Sequence, residues 1–422
     1  MKRSPLIVIF TTVFIDLVGF GIVIPVLPFY AEGTVFNATP RTVGLLFGSY
    51  SVMQLIFSPI LGSLSDRYGR RPVLLISIIG TGIGFLLLGF ATTLWMLFAG
   101  RLLDGLTGGN ISTAQAYIAD ITTKEDRAKG MGLIGAAFGG GFIFGPAIGG
   151  ILSRWGIHVP FFFAAGLCFA NALLLYFTLP ETVTADHPAR NRAAGGRGFS
   201  HLFKSLKRPR LAFVLTIYFL FIVAFSIMTT SFSLYTMFRF GYDAQHTGYL
   251  FAYVGVIAVI IQGGLIGRLV KRFGELPLVI VGAFCFAISL FAVPFVGPAA
   301  GGLAALLIGG GVFSMGNSLA TPALTSLASK SVGPAEQGTV LGVTQSVASL
   351  ARAVGPFLAA LLINSSVAHT GADGTSHYMS DHSLFVTFWT GAAIMLAAFL
   401  LAFYFARIHA AEYRDTGVAE AA

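Results

Sequence analysis

Twelve long apolar runs dominate this 422-residue chain and restrict it to folds that a lipid bilayer can hold. Each run has about the length of an α-helix that crosses the hydrocarbon core, roughly 20 residues. Hydrophobic residues make up 55% of the sequence and charged residues only 10%, a balance typical of a protein whose surface faces lipid. We therefore predict an all-α membrane protein with twelve transmembrane helices. The runs are 6–30, 43–61, 73–92, 94–118, 130–152, 159–179, 211–237, 247–267, 276–296, 301–322, 338–363 and 383–406.

Basic residues are distributed unequally between the two sets of connecting loops. The chain has 26 lysines and arginines, of which Arg101 and Arg352 lie inside apolar runs. One set of loops holds Arg41, Arg154 and Arg239, and all the others fall on the opposite set or at the termini. Because cytoplasmic loops carry the excess of basic residues, we expect a multi-pass protein of the inner membrane with both termini in the cytoplasm. The net charge of +9 then follows from topology, and we expect no nucleic-acid partner.

An extended polar stretch, residues 183–209, divides the chain into two parts. We predict that it is a cytoplasmic linker between an N-terminal six-helix bundle, residues 1–182, and a C-terminal six-helix bundle, residues 210–422. Weak internal symmetry supports this division, since Gly355-Pro356 in the eleventh run echoes Gly145-Pro146 in the fifth. Two such repeats around a cavity at the midplane are typical of secondary transporters.

The charged stretch Gly62-Ser-Leu-Ser-Asp-Arg-Tyr-Gly-Arg-Arg-Pro72 separates the second and third runs. Its glycines, Gly62 and Gly69, allow the chain to reverse, and a proline suits the start of the next helix. Its charged residues are excluded from hydrocarbon, so we predict a short cytoplasmic turn. The charged residues are Asp66, Arg67, Arg70 and Arg71. The stretch resembles the signature loop of the major facilitator superfamily, which implies a gating contact with the cytoplasmic end of the eleventh helix.

Two further motifs are similar to motifs of the same superfamily. The stretch Gly100–Gly109, which contains Arg101 and Asp104, resembles the fourth-helix motif. The fifth run contains a G-P-x-x-G-G pattern that resembles the drug/proton antiporter branch. Small residues in this pattern allow close helix packing, and its proline permits a bend. The residues of the pattern are Gly145, Pro146, Gly149 and Gly150.

Within the superfamily, the chain most resembles the tetracycline/proton antiporter group. The segments Asp16–Pro28, Tyr50–Pro59 and Tyr117–Thr122 carry this resemblance. It implies that Asp16 and Gln54 line the cavity and that Arg101 is a functional residue of the fourth helix. Acids that the group has in its third and ninth helices fall on Gly84 and near Phe286. The resemblance therefore implies the group and a multidrug-type substrate, but not tetracycline itself.

Four ionisable residues lie near the middle of predicted spans: Asp16, Arg101, Asp104 and Arg352. Ionisable groups at this depth are costly and are functional candidates by default. Arg101 and Asp104 are three residues apart, so they share a helical face and can pair. We expect either a carboxylate that takes up and releases a proton while Arg101 changes partners, or a static ion pair between helices. Arg352 either binds an anionic group of the substrate or pairs with Asp16.

Polar and aromatic residues on the same spans are the candidates for lining the cavity. Aromatic and methionine side chains suit amphiphilic compounds of variable shape. These residues are Tyr50, Met53, Gln54, Gln115, Asn317, Gln345 and Arg352, with Tyr218 and Phe225 beside them.

The sequence contains no phosphate-binding G-x-x-x-x-G-K motif, and its eight histidines fall in loops or at span ends. We therefore expect no enzymatic activity, no cofactor and no metal.

The function we expect is proton-coupled efflux of a small amphiphilic compound by alternating access, carried out by a monomer whose partners are substrate, protons and lipid. One alternative is a uniporter or proton symporter for an organic anion or sugar. Another is a receptor or scaffold that transports nothing, which would need no acid pair at mid-membrane.

Overall fold

The fold is all-α, as the sequence predicts. The computed structural model describes residues 5–33, 35–122, 127–183, 208–333, 337–364, 367–370 and 376–408, so most of the predicted linker lies outside the described residues. Two short antiparallel strands of two residues each, β1 (His369–Thr370) and β2 (Ser376–His377), precede the last helix. The helices are α1 (Pro5–Glu32), α2 (Pro40–Tyr68), α3 (Arg70–Gly89), α4 (Leu94–Thr107), α5 (Asn110–Ile121), α6 (Arg127–Leu152), α7 (Val159–Thr178), α8 (Pro209–Phe240), α9 (Ala244–Ile260), α10 (Ile266–Phe273), α11 (Glu275–Ala292), α12 (Gly302–Lys330), α13 (Gln337–Ile363) and α14 (Asp381–Ile408).

Eleven helical segments among the described residues are long and apolar enough to cross a membrane. The fourth predicted span is absent from that count because it is broken into α4, of 14 residues, and α5, of 12 residues. By contrast, α9 and α10 are joined through a π-helical turn, Ile261–Leu265, into one span. The described helices therefore account for the twelve predicted spans, and the prediction of the fourth span as one continuous helix was wrong.

The helices pack as two similar six-span halves. In the N-terminal half, α1 packs on α6 and α7, and α3 packs on α4 and α7. In the C-terminal half, α8 packs on α13 and α14, and α11 packs on α12 and α14, which is the same arrangement one repeat later. The halves meet through α2 against α13 and α6 against α9, which are also equivalent pairs. This is the pseudo-symmetric architecture expected of a secondary transporter.

The halves touch at the end of the bundle opposite the α2–α3 turn, which we call the far end. Gly44 of α2 lies against Ala360 of α13, and Gly150 of α6 lies against Gly248 of α9. A Cβ atom added to either glycine would come within 3.0 Å of the facing helix. Ser233 also donates a hydrogen bond across the halves to a carbonyl of α1, at 3.3 Å. Small residues thus bring the two halves into close contact at this end.

The same helix faces are open at the end that carries the α2–α3 turn, which we call the loop end. On α2, Gly48 faces Phe357 of α13. Pro59 lies eleven residues after Gly48, about three helical turns along the same face, and it is exposed. On α6, Ala136 follows the face of Ile143, which packs on α9, and it is also exposed. Helix α10 has no buried residue. The halves therefore diverge toward the loop end and leave a central space that opens there.

The charged stretch after the second span is mostly helical, which corrects the prediction of an eleven-residue turn. Helix α2 continues through Tyr68, α3 begins at Arg70, and Gly69 alone reverses the chain with φ 109° and ψ 151°. Only glycine adopts this backbone region readily. Gly62 lies within α2, and Arg67 is exposed at its end. The chain therefore reverses at a single residue, and the charged residues on either side of it belong to the ends of the two helices.

Arg70 and Arg71 bind residues of the N-terminal half. Glu181 accepts hydrogen bonds from both backbone N–H groups, at 2.9 and 3.1 Å, and so caps the start of α3. The Arg70 guanidinium pairs with Asp66 one turn earlier and with Asp120 at 3.0 Å. No described hydrogen bond or ion pair joins either arginine to α13. The gating contact with the eleventh span therefore stays a prediction for another conformation.

The equivalent turn of the C-terminal half carries an ion pair of reversed polarity. Gly274, with φ 76°, precedes Glu275 just as Gly69 precedes Arg70. Glu275 pairs at 2.6 Å with Lys330, the last residue of α12. In both halves, the first residue of the third span thus forms an ion pair with a residue at the end of the fourth span.

Candidate functional site

The site is built around the break in the fourth span. Gly105 packs directly on the backbone of Tyr50, so α2 and α4 approach each other closely. After Thr107, Gly108 and Gly109 leave the helix, and α5 restarts at Asn110. A break in a membrane helix frees backbone groups that must find partners inside the protein. Gln54 supplies one, since its side-chain amide donates to the Gly108 carbonyl at 3.1 Å.

Asp16 lies in the middle of α1, opposite this break. The Asn110 side-chain amide donates to Asp16 Oδ1 at 2.9 Å. Asn110 is 1% exposed, and its own carbonyl oxygen has no hydrogen-bond donor among the described residues. Asp16 itself is half-buried. It is therefore a carboxyl group held by a neutral amide at the edge of the central space.

Arg101 and Asp104 form the ion pair that their spacing predicts. Arg101 Nη1 donates to Asp104 Oδ2 at 2.9 Å, and the Arg101 side chain is completely buried. Its guanidinium lies 4.3 Å from the ring centroid of Tyr50, a cation–π contact. Nε and Nη2 of Arg101 have no hydrogen-bond partner among the described residues. Among the described residues, the guanidinium thus has one carboxylate partner, and the N–H groups on two of its nitrogens are unpaired.

The N-terminal half holds more negative than positive charge at this depth. Asp16 and Asp104 are close enough for their charges to interact. The guanidinium of Arg101 balances Asp104, whereas the Asn110 amide is the one partner of Asp16 that the described residues supply. An uncompensated carboxylate is costly inside a membrane. The arrangement can therefore accept one proton, or one cationic group, without disturbing the ion pair.

Arg352 approaches the site from α13 of the opposite half. Its Nη2 donates to Ser349 Oγ at 3.2 Å, and its charge lies near the hydroxyl groups of Tyr50 and Tyr218. No carboxylate of the described residues lies within 4.0 Å of it. Of the two alternatives that the sequence left open, pairing with Asp16 is absent in this conformation.

Aromatic rings continue from the site across both halves. Tyr50 contacts Phe20 with ring centroids 5.5 Å apart, and Phe20 contacts Phe142 at 5.7 Å. Phe142 then meets Phe225 of the C-terminal half at 5.7 Å. These four rings, which we call the aromatic bridge, lie where the halves begin to touch. We use the term central cavity for the space between the aromatic bridge, Asp16 and Arg352.

The remaining predicted lining residues take different places. Met53 packs against Gly105 at the α2–α4 crossing. Gln115, Asn317 and Gln345 are half-buried, and no described hydrogen bond joins them to Asp16, Arg101 or Arg352. Asn317 instead accepts a hydrogen bond from Thr321 one turn later on α12, at 3.1 Å. Their assignment to the substrate site therefore stays a prediction.

The predicted packing motif of the fifth span lies on two interfaces. Gly145 packs against Gly21 of α1, and Gly149 packs against Ile22 of the same helix. Pro146 lies within α6 beside Gly21. Gly150 faces the other way and touches Gly248 of the C-terminal half. The motif thus joins α1 to the interface between the halves.

The two positions at which the resemblance predicts a departure from the tetracycline group are both packing positions. Gly84 faces α4, and an added Cβ atom would lie 3.2 Å from the Asp104 Cβ and 3.0 Å from the Gly100 carbonyl. Phe286 is fully buried against Phe313, with ring centroids 4.6 Å apart. In this chain the acid beside this part of α3 therefore comes from α4.

Sequence reasoning missed three residues of the site: Asn110, Phe20 and Phe142. The pair Gly108-Gly109 followed by a polar run is a signal for a helix break, and it would have placed Asn110 at the start of a helix. No comparable signal exists for the two phenylalanines. The chain contains 40 phenylalanines, and composition does not distinguish those that face the cavity.

Comparison with protein families and curated proteins gives matches along most of the chain. The model of the Major Facilitator Superfamily matches residues 9–356. The tetracycline resistance protein, class H, of Pasteurella multocida is 32% identical over 411 residues, 96% of each chain. The class B protein of Escherichia coli is 35% identical and covers 84% of this chain and 87% of its own. Multidrug resistance protein 2 of Bacillus subtilis is 30% identical and covers 87% and 90%. The resemblance inferred from the motifs is thus confirmed.

Solved structures of transporters share the fold. The human organic anion transporter MFSD10 (TETRAN) has a TM-score of 0.68 at 24% identity and covers 95% of this chain and 99% of its own. A bacterial homolog of the human lysosomal transporter Spinster, in an inward-facing and unoccupied conformation, has a TM-score of 0.72 at 16% identity and covers 96% of both chains. At these identities the likeness concerns the architecture alone.

Proposed function

Because the chain belongs to the major facilitator superfamily, we propose that it exports a small amphiphilic compound across the inner membrane in exchange for protons. The observation that carries the proposal is Asp16, a carboxyl group at mid-membrane that borders the central cavity and is bound by a neutral amide. The names of its relatives, which are tetracycline and multidrug resistance proteins, support drug efflux.

Asp16 is the residue to which we assign the exchanged proton. Asp104 has a guanidinium partner at 2.9 Å that stabilises its ionised form, and Asp16 has none among the described residues. Proton binding to Asp16 would therefore remove the excess negative charge of the N-terminal half. Arg101, two of whose nitrogens have no partner within the described residues, could then change its position between the two acids when the cavity changes shape.

Access to the cavity would alternate by movement of the two halves against each other. The distribution of basic residues supports a cytoplasmic loop end and cytoplasmic termini. In this orientation the described conformation is open to the cytoplasm and closed at the far end by the contacts of Gly44 and Gly150. Substrate would enter from the cytoplasm, and separation of the far-end contacts would release it outside.

The α2–α3 turn would take part in closing the cytoplasmic side. Asp66 and Arg70 are paired in the open conformation. We infer that this pair, on closure, contacts the cytoplasmic end of α13. The variant Asp66→Asn should slow transport at normal expression. Transport at the wild-type rate in this variant would exclude the gating role.

The experiment that tests the function uses purified protein in liposomes with an imposed pH gradient and a panel of lipophilic cations and organic anions. We expect uphill movement of at least one compound, its loss when an uncoupler collapses the gradient, and its loss in Asp16→Asn. Arg154→Gln, a change at an exposed arginine outside the cavity, is the matched control for folding and insertion.

A second candidate, a uniporter or symporter for an organic anion, is favoured by one observation, the Arg352 side chain, which has no carboxylate partner among the described residues. Movement that is insensitive to the uncoupler and survives Asp16→Asn would support the uniporter and contradict the antiporter. Uptake in the direction of the proton gradient would support the symporter. No movement of any compound would favour a receptor or scaffold.

A further inference from the structure

We propose that Arg352 is an anion-binding site, and that the transported compound carries an acidic group attached to a planar aromatic body. This inference rests on the proposed transport function and names the substrate class of the same cavity. It assigns the acidic group to α13 and the aromatic body to the aromatic bridge, so that one compound contacts both halves.

Arg352 differs from the other arginine at this depth in its partners. Arg101 is completely buried and bound to Asp104 at 2.9 Å. Arg352 is half-buried, and its one described hydrogen bond goes to the neutral hydroxyl of Ser349 at 3.2 Å. A guanidinium carries five N–H donors that match a carboxylate in a two-bond geometry. Arg352 therefore keeps most of its donors for a ligand.

The surroundings of Arg352 favour an anion over a cation. The hydroxyl groups of Tyr50 and Tyr218 lie near its charge and can donate further hydrogen bonds to the same acidic group. A positive charge at mid-membrane without a counter-ion is costly, and an anionic ligand would remove that cost. Asp16, the acid that a cationic substrate would need, lies on the opposite half and is assigned to the exchanged proton.

The aromatic bridge accounts for the rest of the ligand. Tyr50 belongs both to the bridge and to the surroundings of Arg352, so the acidic group and the ring of one compound can be held side by side. Phe142 and Phe225 belong to different halves and are in contact edge to face. A planar ring placed against them would contact both halves at the point where they separate during transport.

Three probes with one ring system and different charge test the proposal: naphthoate, naphthamide and naphthylmethylamine. Equilibrium binding to the purified protein in detergent is measured for wild type, Arg352→Gln, Arg352→Lys and the control Arg154→Gln. We expect naphthoate to bind more tightly than the other two probes. We expect Arg352→Gln to weaken naphthoate binding about 10- to 100-fold, as for loss of a hydrogen bond between charged groups. Arg352→Lys should retain part of the binding because it keeps the charge but loses the two-bond geometry.

The outcomes separate this proposal from the proposed function. If naphthoate binds wild type no better than naphthamide, or if Arg352→Gln weakens all three probes equally, the anion site is excluded even where transport is found. If naphthoate binds through Arg352 but no compound moves in liposomes, the anion site stands and the transport function fails. A variant that does not fold is recognised by size-exclusion chromatography, and Arg352→Lys then supplies the comparison between naphthoate and naphthamide.

Discussion

Asn110 donates a hydrogen bond to Asp16 at 2.9 Å, and this bond joins the first residue after the helix break to the middle of α1. The carbonyl oxygen of the same amide is buried and receives no hydrogen bond from the described part of the chain. If the amide rotates, its carbonyl oxygen can accept a hydrogen bond from a protonated Asp16, whereas in the present orientation its N–H group donates to an ionised Asp16. Asn110 can therefore serve both protonation states of Asp16 without moving its backbone.

Removal of this amide should impair coupling to the pH gradient. We expect Asn110→Ala to lower gradient-driven transport about tenfold, since a hydrogen bond to a charged group is lost. The measurement is the initial transport rate in liposomes at several imposed pH gradients. Asn171→Ala is the control, because it removes a different buried hydrogen bond of α1, the one that Asn171 accepts from Thr12 at 3.3 Å, and leaves Asp16 with its amide partner. Equal rates in both variants would contradict a role for Asn110 in coupling.

The Arg101–Asp104 ion pair should show strong coupling in a double-mutant comparison. Asp104→Asn leaves a buried guanidinium without its carboxylate, which should cost about 3–5 kcal/mol. The double variant Arg101→Gln with Asp104→Asn should recover most of the thermal stability in detergent but not the transport. A double variant no more stable than Asp104→Asn would mean that the pair does not hold α4 in place.

The one-residue turn at Gly69 should tolerate no side chain. Gly69→Ala forces a backbone conformation that costs about 1–3 kcal/mol and also places its Cβ against the Glu181 carboxylate. Gly274→Ala is a matched control, since Gly274 also has a positive φ but an added Cβ there would have no atom of the described residues within 4 Å. We expect a larger drop in thermal unfolding temperature for Gly69→Ala. Equal drops would assign the whole effect to the backbone.

A cross-link at the far end should stop transport. In a background with Cys168→Ser and Cys285→Ser, the pair Gly44→Cys and Ala360→Cys should form a disulfide after the two helices move apart by about 1–2 Å, because a Cβ atom at Gly44 would lie 2.5 Å from the Ala360 Cβ and a disulfide needs about 3.5–4.5 Å. We expect oxidation to stop transport and reduction to restore it. Each single cysteine variant is the control. Transport at an unchanged rate in the cross-linked protein would show that the far end need not open.

The sequence by itself determined the membrane class, the path of the spans and the acids at mid-depth. These properties depend on local composition, since an apolar run of sufficient length must cross the bilayer whatever its neighbours are. The pairing of Arg101 with Asp104 was predictable for the same reason, because three residues along a helix place two side chains on one face. The charge excess that predicts orientation is likewise a property of the loops alone.

Only the tertiary structure decided which groups meet between helices. Asp16 and Asn110 are 94 residues apart, and Arg352 approaches Tyr50 from the other half of the chain. The break after Thr107 and the contact of Gly44 with Ala360 depend equally on neighbouring helices. The rotation of each helix about its axis is set by packing against its neighbours, and side-chain spacing within one helix does not contain it. For this reason the sequence identified the ionisable residues, but the structure alone showed that Asp16 has an amide partner and that no carboxylate in the described part of the chain pairs with Arg352.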